Sequence, residues 1–235
     1  MSILRRIETL VFPNLCPACK QERIATHNSI GVCNTCAKSL IPLPTPRCKA
    51  CGGIVDGVLE VCGECAANPC RNWDHAVTVY AYGSYVRHLI HRFKYRGTVE
   101  LAPGFARVMA DSLTAHSVLQ PDAIIAVPMH WRRKFMRGYN QAEILASLIG
   151  RIISVPCIRP LKRTKNSKRQ ATLDFDKRRK NVEQVFSAKR KTNLEGYHIV
   201  LIDDILTTGA TLDSATIALK EAGAAVVEVL TLARG

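Results

Sequence analysis

Apolar positions in the second half of the chain form continuous runs that alternate with segments of helical spacing. The runs are DAIIAVP (122–128), YHIVLID (197–203) and AVVEVLTLA (225–233), and a further strand is expected around Val155–Leu161. Between them, NQAEILASLIG (140–150) and ATLDSATIALKEAG (210–223) repeat apolar residues at helical intervals. Continuous apolar strands that alternate with helices predict a parallel sheet with helices on both faces. The pattern therefore predicts an α/β domain.

The same pattern begins just after residue 70. WDHAVTVYAYG (73–83) alternates in the way expected of a strand pair. SYVRHLIHRFKYRG (84–97) predicts a helix with Val86, Leu89, Ile90 and Phe93 on one face, and residues 98–116 predict a second helix. We therefore assign residues 71–235 to the α/β domain and residues 1–70 to a separate N-terminal module that opens with a short amphipathic helix.

Cysteines define the N-terminal module. Eight of the ten form four C-x-x-C pairs, separated by 13, 11 and 10 residues. The pairs are Cys16/Cys19, Cys33/Cys36, Cys48/Cys51 and Cys62/Cys65. A C-x-x-C turn directs two thiolates at one point, and two such turns complete a tetrahedral zinc site. A disulfide scaffold would need an oxidising compartment, and the first residues do not read as an export signal. Two zinc ions are therefore expected.

The pairing of the four turns is less constrained. Sequential sites, Cys16/Cys19 with Cys33/Cys36 and Cys48/Cys51 with Cys62/Cys65, close the shortest loops. The proline-rich stretch LIPLPTPRC (40–48) resembles a stiff connector between two ribbons, which favours this pairing. An interleaved cross-brace stays open as the alternative.

Charge is distributed unevenly along the chain. The formal net charge is +14, and residues 132–191 alone hold 18 Lys/Arg against four acids. Such a segment attracts polyanions, either nucleic acid or a polyphosphorylated small molecule. Trp131, Phe135 and Tyr139 lie among arginines there, a mixture that suits single-stranded nucleic acid, although Tyr139 is better explained as a core anchor. No apolar run has the length of a membrane span, and we expect a cytoplasmic protein.

The stretch VLIDDILTTGAT (Val200–Thr211) combines an apolar strand, two adjacent carboxylates and a Thr/Gly loop before a helix. In a parallel α/β sheet, ligands bind at the carboxyl ends of the strands. Asp203 and Asp204 can accept hydrogen bonds from vicinal hydroxyls there. Thr207, Thr208, Gly209, Ala210 and Thr211 supply hydroxyls and backbone N–H groups at a helix N-terminus, which is an anion site. The stretch predicts a site for ribose 5-phosphate.

This stretch resembles the 5-phosphoribosyl 1-pyrophosphate (PRPP) motif of type I phosphoribosyltransferases. The resemblance implies that Asp203 and Asp204 bind ribose hydroxyls and that Thr207 to Thr211 bind the 5-phosphate. It also implies Mg²⁺ with bound PRPP and a cationic site for pyrophosphate. The candidate pyrophosphate residues are Arg133, Lys134 and Arg137 in the loop 127–143, and Lys165, Lys168 and Arg169 in the basic loop 163–186.

Further motifs resemble the ComF family of late-competence and GntX-like proteins. They are R-x-x-x-R-G-[FY]-N-Q-A (Arg133–Ala142), T-x-x-x-x-x-Q-x-x-L (Thr164–Leu173), R-x-x-N (Arg178–Asn181) and KYRG (Lys94–Gly97). That family carries a double zinc ribbon followed by a phosphoribosyltransferase-like domain. The resemblance covers nearly the whole chain.

The family implies a role in natural transformation or DNA utilisation, with incoming single-stranded DNA handled in the cytoplasm. On this interpretation the PRPP-type site binds a ligand or regulator. One alternative is an active phosphoribosyltransferase acting on an unidentified acceptor, since no acceptor-reading residue is recognisable. A second alternative is a zinc-ribbon adaptor that links a helicase-type competence partner to DNA.

Overall fold

The computed structural model describes residues 15–21, 30–57, 59–67, 71–117, 119–164 and 185–235. The helices are α1 (Asn34–Lys38), α2 (Gly63–Ala67), α3 (Ser84–Tyr95), α4 (Ala102–His116), α5 (Trp131–Arg137), α6 (Gln141–Ile153) and α7 (Ala210–Glu221), with a 3₁₀ turn at Val99–Leu101. The strands are β1 (His75–Ala81), β2 (Ala123–Ala126), β3 (Cys157–Ile158), β4 (Leu161–Arg163), β5 (Phe186–Ala188), β6 (His198–Leu206) and β7 (Val226–Arg234).

Five strands form one parallel sheet in the order β1-β7-β6-β2-β3. Its central strands are buried on both faces because helices cover both, as the continuous apolar runs require. The predicted α/β architecture with a parallel sheet is confirmed. Strand β6 lies at the centre, hydrogen-bonded to β2 on one side and β7 on the other. The carboxyl end of β6 is therefore surrounded by neighbouring strand ends.

The two faces of the sheet pack against different helices. Residues of α3, α4 and α6 form one core with alternate strand residues such as Val200 and Ile202. Residues of α7 form a second core with the intervening residues, including Leu201 and Val229. Alternate residues of a strand point to opposite faces, so one apolar strand serves both cores.

The cysteine-rich module packs on the exposed edge of β1. The N–H of Leu43 donates to the Val79 carbonyl at 2.8 Å, and the N–H of Ala76 donates to the Lys49 carbonyl at 2.8 Å. These contacts pair backbone groups of an edge strand that would otherwise face solvent. Cys16 and Cys33 also belong to the core under α3 and α4, so the module and the α/β part share buried surface. The division at residue 70 stays a prediction.

Two local predictions were wrong. Residues 73–83 contain the single strand β1 rather than a strand pair; β1 lies between β7 and the cysteine-rich module and is buried from Ala76 to Tyr80. The strand expected around Val155–Leu161 is two short strands, β3 in the main sheet and β4 in an antiparallel pair with β5. Pro160 separates them and has no N–H for a ladder.

Two further features complete the fold. The predicted amphipathic helix at the start of the chain lies outside the described residues. Within the parts of the chain that the structure describes, none of the helices combines the length and apolar character needed to cross a bilayer.

Candidate functional site

Two adjacent carboxylates stand near the carboxyl end of the central strand. Asp203 and Asp204 lie near the end of strand β6. There the continuous burial of the strand gives way to alternating buried and partly buried residues. The Asp204 N–H donates to Oδ1 of Asp203 at 2.8 Å. Asp203 is partly buried and Asp204 is buried. The expected acid pair is therefore at the end of the sheet where α/β proteins bind ligands.

The two acids differ electrostatically. Burial and the neighbouring charge of Asp204 raise the pKa of Asp203, while the Asp204 N–H, Lys94 and Arg163 lower it, and the net result is a pKa of about 7. Oδ1 of Asp204 is ion-paired with Nζ of Lys94 at 2.7 Å. One carboxylate is thus held by a cation, and the other exchanges a proton near neutral pH. Such a pair can both accept hydrogen bonds from hydroxyls and take up a proton.

The Thr/Gly loop that follows is held in place by the segment before β1. Nη1 of Arg71 donates to the Thr208 carbonyl at 2.5 Å, and the N–H of Asn72 donates to Oδ1 of Asp213 at 2.9 Å. Gly209 caps α7 with φ of 82°. A Cβ on it would lie 2.3 Å from Nη1 of Arg71 and 2.7 Å from the Trp73 ring, so only glycine fits.

The loop presents its polar groups to solvent. Thr207, Thr208, Ala210 and Thr211 are all exposed, while Gly209 is buried beneath them. The first N–H groups of a helix have no intrahelical acceptor and carry the positive end of the helix dipole. The five predicted residues therefore form a continuous turn, two residues after the acid pair, that has donor groups of the kind an anion needs.

The segment after β2 carries the first group of predicted pyrophosphate residues, and it contains the short helix α5. Nζ of Lys134 is 2.9 Å from Oε2 of Glu143. Arg137 donates to Oε1 of Gln141 at 3.2 Å and to the Tyr95 hydroxyl at 2.6 Å. Both cations therefore have side-chain partners. Arg133 is exposed. Its charge lowers the pKa of Arg163, whereas the charge of Asp203 raises it.

The second group of predicted pyrophosphate residues, Lys165, Lys168 and Arg169, lies outside the described residues. The segment that holds them connects β4 to β5, whose register pairs Leu161 with Ala188 and Arg163 with Phe186. Arg163, the last residue of β4, is electrostatically coupled to Asp203. The attachment points of the basic segment are therefore close to the acid pair.

The large apolar side chains of this region divide into two classes. Trp131, Phe135 and Met136 on α5 are 67%, 87% and 84% exposed. Tyr139 instead packs against the core, with its ring 6.1 Å from that of Phe93 and its hydroxyl donating to the Phe93 carbonyl. The interpretation of Tyr139 as a core anchor agrees with these contacts. The exposed side chains on α5 form, with Arg132 and Arg133, a basic and aromatic surface that we call the α5 surface.

Three residues of the site were not assigned a role from sequence. Lys94 was noticed only as part of KYRG, yet its ammonium pairs with Asp204. Arg163 is one of many cations in the basic segment, and Arg71 belongs to none of the motifs. KYRG was the one available signal. The contact of Arg71 with Thr208 joins positions 137 residues apart, and it depends on the folded chain.

The eight predicted zinc ligands form two compact clusters. In one, Sγ atoms of Cys16, Cys19, Cys33 and Cys36 lie within 4.8 Å of one another, and in the other the same holds for Cys48, Cys51, Cys62 and Cys65. This is the sequential pairing, not the cross-brace. The Sγ atoms of Cys19 and Cys33 are 3.8 Å apart, as are those of Cys51 and Cys62. Tetrahedral Zn–S bonds of about 2.3 Å place sulfurs roughly 3.8 Å apart.

The thiol environment also suits a metal. Backbone N–H groups of Cys33 and Cys62 donate to Sγ of Cys16 and Cys48 at 3.2 and 3.3 Å, which stabilises thiolates. Burial raises the pKa of Cys65 to about 11, so this thiol needs a cation to ionise at neutral pH. Zinc supplies that charge, and the ligand sets fit it.

Comparison with known proteins agrees with both halves of the chain. Residues 7–66 match the double zinc ribbon domain, and residues 137–235 match the phosphoribosyl transferase domain. The chain is 31% identical over 210 residues to Competence protein F of Haemophilus influenzae, which covers 87% of this chain and 90% of that protein. It is 34% identical over 212 residues to Competence protein ComFC of Bacillus subtilis (86% and 84%) and 31% identical over 230 residues to DNA utilization protein YhgH of Escherichia coli O157:H7 (96% and 99%).

Proposed function

The chain belongs to the ComF family of competence and DNA-utilisation proteins, and from this premise we propose that it handles incoming single-stranded DNA in the cytoplasm during natural transformation or DNA utilisation. We further propose that Asp203, Asp204 and the loop Thr207–Thr211 bind PRPP or a related ribose phosphate as a ligand or regulator. The relatives that are named for competence and for DNA utilisation support the first part. The site geometry supports the second.

The observation that carries the ligand proposal is the acid pair and its surroundings. Asp203 and Asp204 offer carboxylate oxygens to ribose hydroxyls, and the exposed turn that follows offers N–H and hydroxyl donors to a 5-phosphate. Arg71 holds this turn through the Thr208 carbonyl. Carboxylates that accept from hydroxyl groups, followed by a turn that donates to a phosphate, match the two ends of a ribose 5-phosphate.

The cations of the site suit the pyrophosphate half of PRPP. Arg133, Lys134 and Arg137 are our candidates from the α5 segment, and Lys165, Lys168 and Arg169 are candidates from the segment between β4 and β5. Lys134 and Arg137 would exchange their present partners for phosphate oxygens. Mg²⁺ would enter with PRPP, because it is bound mainly by phosphate oxygens and water, and the two aspartates are the hard oxygen donors it accepts.

The α5 surface supports the DNA part of the proposal. Trp131 and Phe135 are exposed beside Arg132 and Arg133, and the Arg132 guanidinium lies 5.2 Å from the centroid of the Trp131 ring. Bases stack on exposed aromatic rings while arginines pair with the phosphates of a single strand. We therefore propose this surface as part of the path of single-stranded DNA.

An active phosphoribosyltransferase is the second candidate. The observation that favours it is the raised pKa of Asp203, about 7, which suits proton uptake from an acceptor near neutral pH. Release of pyrophosphate from PRPP on addition of candidate bases tests it. Release that depends on both a base and Asp203 would establish the reaction, and no release with any base would leave a binding protein.

The adaptor function is the third candidate. Ile41, Ile54 and Leu59 of the ribbon module are large apolar side chains exposed to solvent, and they are the residues through which the module would contact a protein partner. A purified helicase-type competence partner should lose affinity for the variant Ile41→Ser if this candidate is correct. An unchanged affinity would contradict it.

Isothermal titration with PRPP and Mg²⁺ tests the main proposal. The wild type should bind, and the double variant Asp203→Asn/Asp204→Asn should not. Asp111→Asn is the matched control, because Asp111 is an exposed aspartate on α4. Binding of single-stranded DNA, measured in parallel at two salt concentrations, should be unchanged in the double variant and should weaken with salt. A wild type without affinity for PRPP contradicts the ligand assignment.

A further inference from the structure

A cleft of about 500 Å³ opens beside the acid pair and has no role in the site described so far. Its lining comes from the end of β1 and the outward face of α3. The residues used in this argument are Tyr82, Arg87, His88, His91, Lys94 and Tyr95. A volume of this size is typical of pockets that take small molecules.

The cleft lies along the polar face of the amphipathic helix α3. Its apolar stripe, which includes Leu89 and Phe93, is fully buried in the core. Residues at 87, 88, 91, 94 and 95 recur at intervals of three and four and therefore share the opposite face. Tyr82 also lines the cleft, and its backbone N–H donates to the Arg234 carbonyl at 2.7 Å.

Lys94 connects the cleft to the acid pair. It lines the cleft, and its Nζ is 2.7 Å from Oδ1 of Asp204. A second connection runs through Tyr95. The Arg137 guanidinium lies 4.4 Å from the centroid of the Tyr95 ring and hydrogen-bonds the Tyr95 hydroxyl at 2.6 Å. The cleft thus begins where the ribose is expected and extends toward the α5 segment, so that a group in it would lie next to a bound ribose phosphate.

The chemistry of the lining selects a particular kind of group. Two tyrosines and two histidines supply flat rings, and the rings of His91 and Tyr95 are 4.8 Å apart at 40°. Arg87 and Lys94 supply positive charge. None of the described residues that line the cleft is acidic. Rings bind a planar base by stacking, and the cations bind a phosphate.

We propose that this cleft binds a nucleotide unit, that is, a base together with its phosphate. The proposal rests on the proposed function, because it gives the ribose-phosphate site its second ligand. The unit comes either from a free nucleotide or from the end of a DNA strand. Both sources present the same chemistry to the cleft, and a terminal nucleotide would bring the DNA path of the α5 surface to the acid pair.

Two variants test the cleft. Arg87→Ala removes the exposed cation, and Tyr82→Leu removes a ring. Their matched controls are Arg107→Ala, an exposed arginine on α4, and Tyr197→Leu, a tyrosine 40% exposed outside the cleft. Thermal melting of all four checks that each variant is folded. The probes are dAMP, a 5′-phosphorylated oligothymidylate labelled for anisotropy, and a circular single-stranded DNA that has no terminal nucleotide.

The wild type should bind dAMP or the linear oligonucleotide, and both cleft variants should bind that probe about ten-fold more weakly, the loss expected for one stacking or ionic contact. The controls should match the wild type. Competition by linear but not circular DNA identifies a strand end as the source, whereas binding of dAMP without competition by either DNA identifies a free nucleotide. Equal affinity of cleft variants and controls for every probe overturns the proposal, as does a wild type that binds neither dAMP nor the linear oligonucleotide.

PRPP titration separates this failure from failure of the proposed function. Arg87 and Tyr82 do not contact the acid pair or the Thr/Gly loop in any described interaction, so PRPP affinity should be the same in the two cleft variants and in the wild type. Loss of PRPP affinity in those variants would mean that they disturb the ribose-phosphate site, and it would contradict a separate nucleotide cleft. Absence of PRPP binding in the wild type contradicts the proposed function, whatever the nucleotide result.

Discussion

Buried acids stand at both ends of the same sheet, and their surroundings differ. Near the amino ends, Glu228 of β7 is 1% exposed, and its oxygens lie 2.9 Å from Nδ1 of His75, 2.5 Å from Oγ of Ser117 and 3.4 Å from Nε2 of His198. Near the carboxyl ends, Asp204 is ion-paired with Lys94, the charges of Lys94 and Arg163 act on Asp203, and both acids lie beside an open turn and a cleft.

The difference separates an acid that serves stability from acids that serve binding. A carboxylate that is 1% exposed and has both oxygens paired on its own chain is inaccessible to a ligand. Asp203 instead has a pKa raised to about 7 by burial and by Asp204, so the folded chain disfavours its ionised form. Groups whose pKa is perturbed in this way beside a cleft are concentrated at functional sites. The amino end should therefore govern stability, and the carboxyl end should govern binding.

The largest stability effect is expected for Glu228→Ala. It removes the acceptor of His75 and leaves the Ser117 hydroxyl with the Leu119 carbonyl as acceptor. The loss of these hydrogen bonds to a buried carboxylate should lower the free energy of unfolding by about 3 kcal/mol. Urea denaturation measures this loss. The exposed Glu100→Ala is the control and should change stability by less than about 0.5 kcal/mol. A small effect of Glu228→Ala would mean that the acid at the amino end does not stabilise the fold as described.

Gly209→Ala, at the binding end of the sheet, is expected to have an intermediate effect on stability. The added Cβ would meet Arg71 and Trp73, and φ of 82° disfavours any side chain. A loss of about 1–2 kcal/mol is expected from the backbone alone, with further loss from the contacts. Gly57→Ala is the matched control, since Gly57 has φ of 63° and open space. Denaturation of both variants isolates the contact contribution, and equal losses would show that Arg71 and Trp73 do not confine the loop.

The titration of Asp203 is expected to make stability depend on pH. Its folded pKa, about 7, is above the unfolded value, so the folded state favours the protonated acid. Stability should therefore be highest below about pH 4 as far as this group contributes, and should fall as pH rises to about 7. Each pKa unit corresponds to about 1.4 kcal/mol. Asp203→Asn should remove this decline relative to Asp111→Asn when melting is followed from pH 5 to 8, and identical slopes would contradict the raised pKa.

The sequence predicted those parts of the fold and site that depend on neighbouring residues. Val200 to Thr211 form one strand, one turn and the start of one helix, so their pattern identified the acid pair and the anion-accepting loop together. The zinc ligands were equally local, because each C-x-x-C turn brings two thiolates together by itself. The α/β class followed from continuous apolar strands, since only a sheet covered on both faces needs them.

The remaining features depend on contacts between distant segments. Lys94 reaches Asp204 across 110 positions of sequence, and Glu228 reaches His75 across 153. No local pattern marks such partners. The alternation at 73–83 predicted two strands. A single edge strand covered by the ribbon module has a residue pattern similar to that of a hairpin, so the sequence alone did not distinguish the two. The cleft on α3 was missed for the same reason, since a polar helix face ordinarily faces only solvent.

The central claim is that the carboxyl-end acids bind the ribose phosphate while the amino-end acid does not. Thermal melting with and without PRPP and Mg²⁺ tests this most directly, because a ligand that binds only the folded state raises the melting temperature. The wild type and Glu228→Gln should show the same ligand-induced rise, although Glu228→Gln starts from a lower melting temperature. Asp203→Asn/Asp204→Asn should show none. An equal rise in the double aspartate variant, or its loss in Glu228→Gln, would contradict the account.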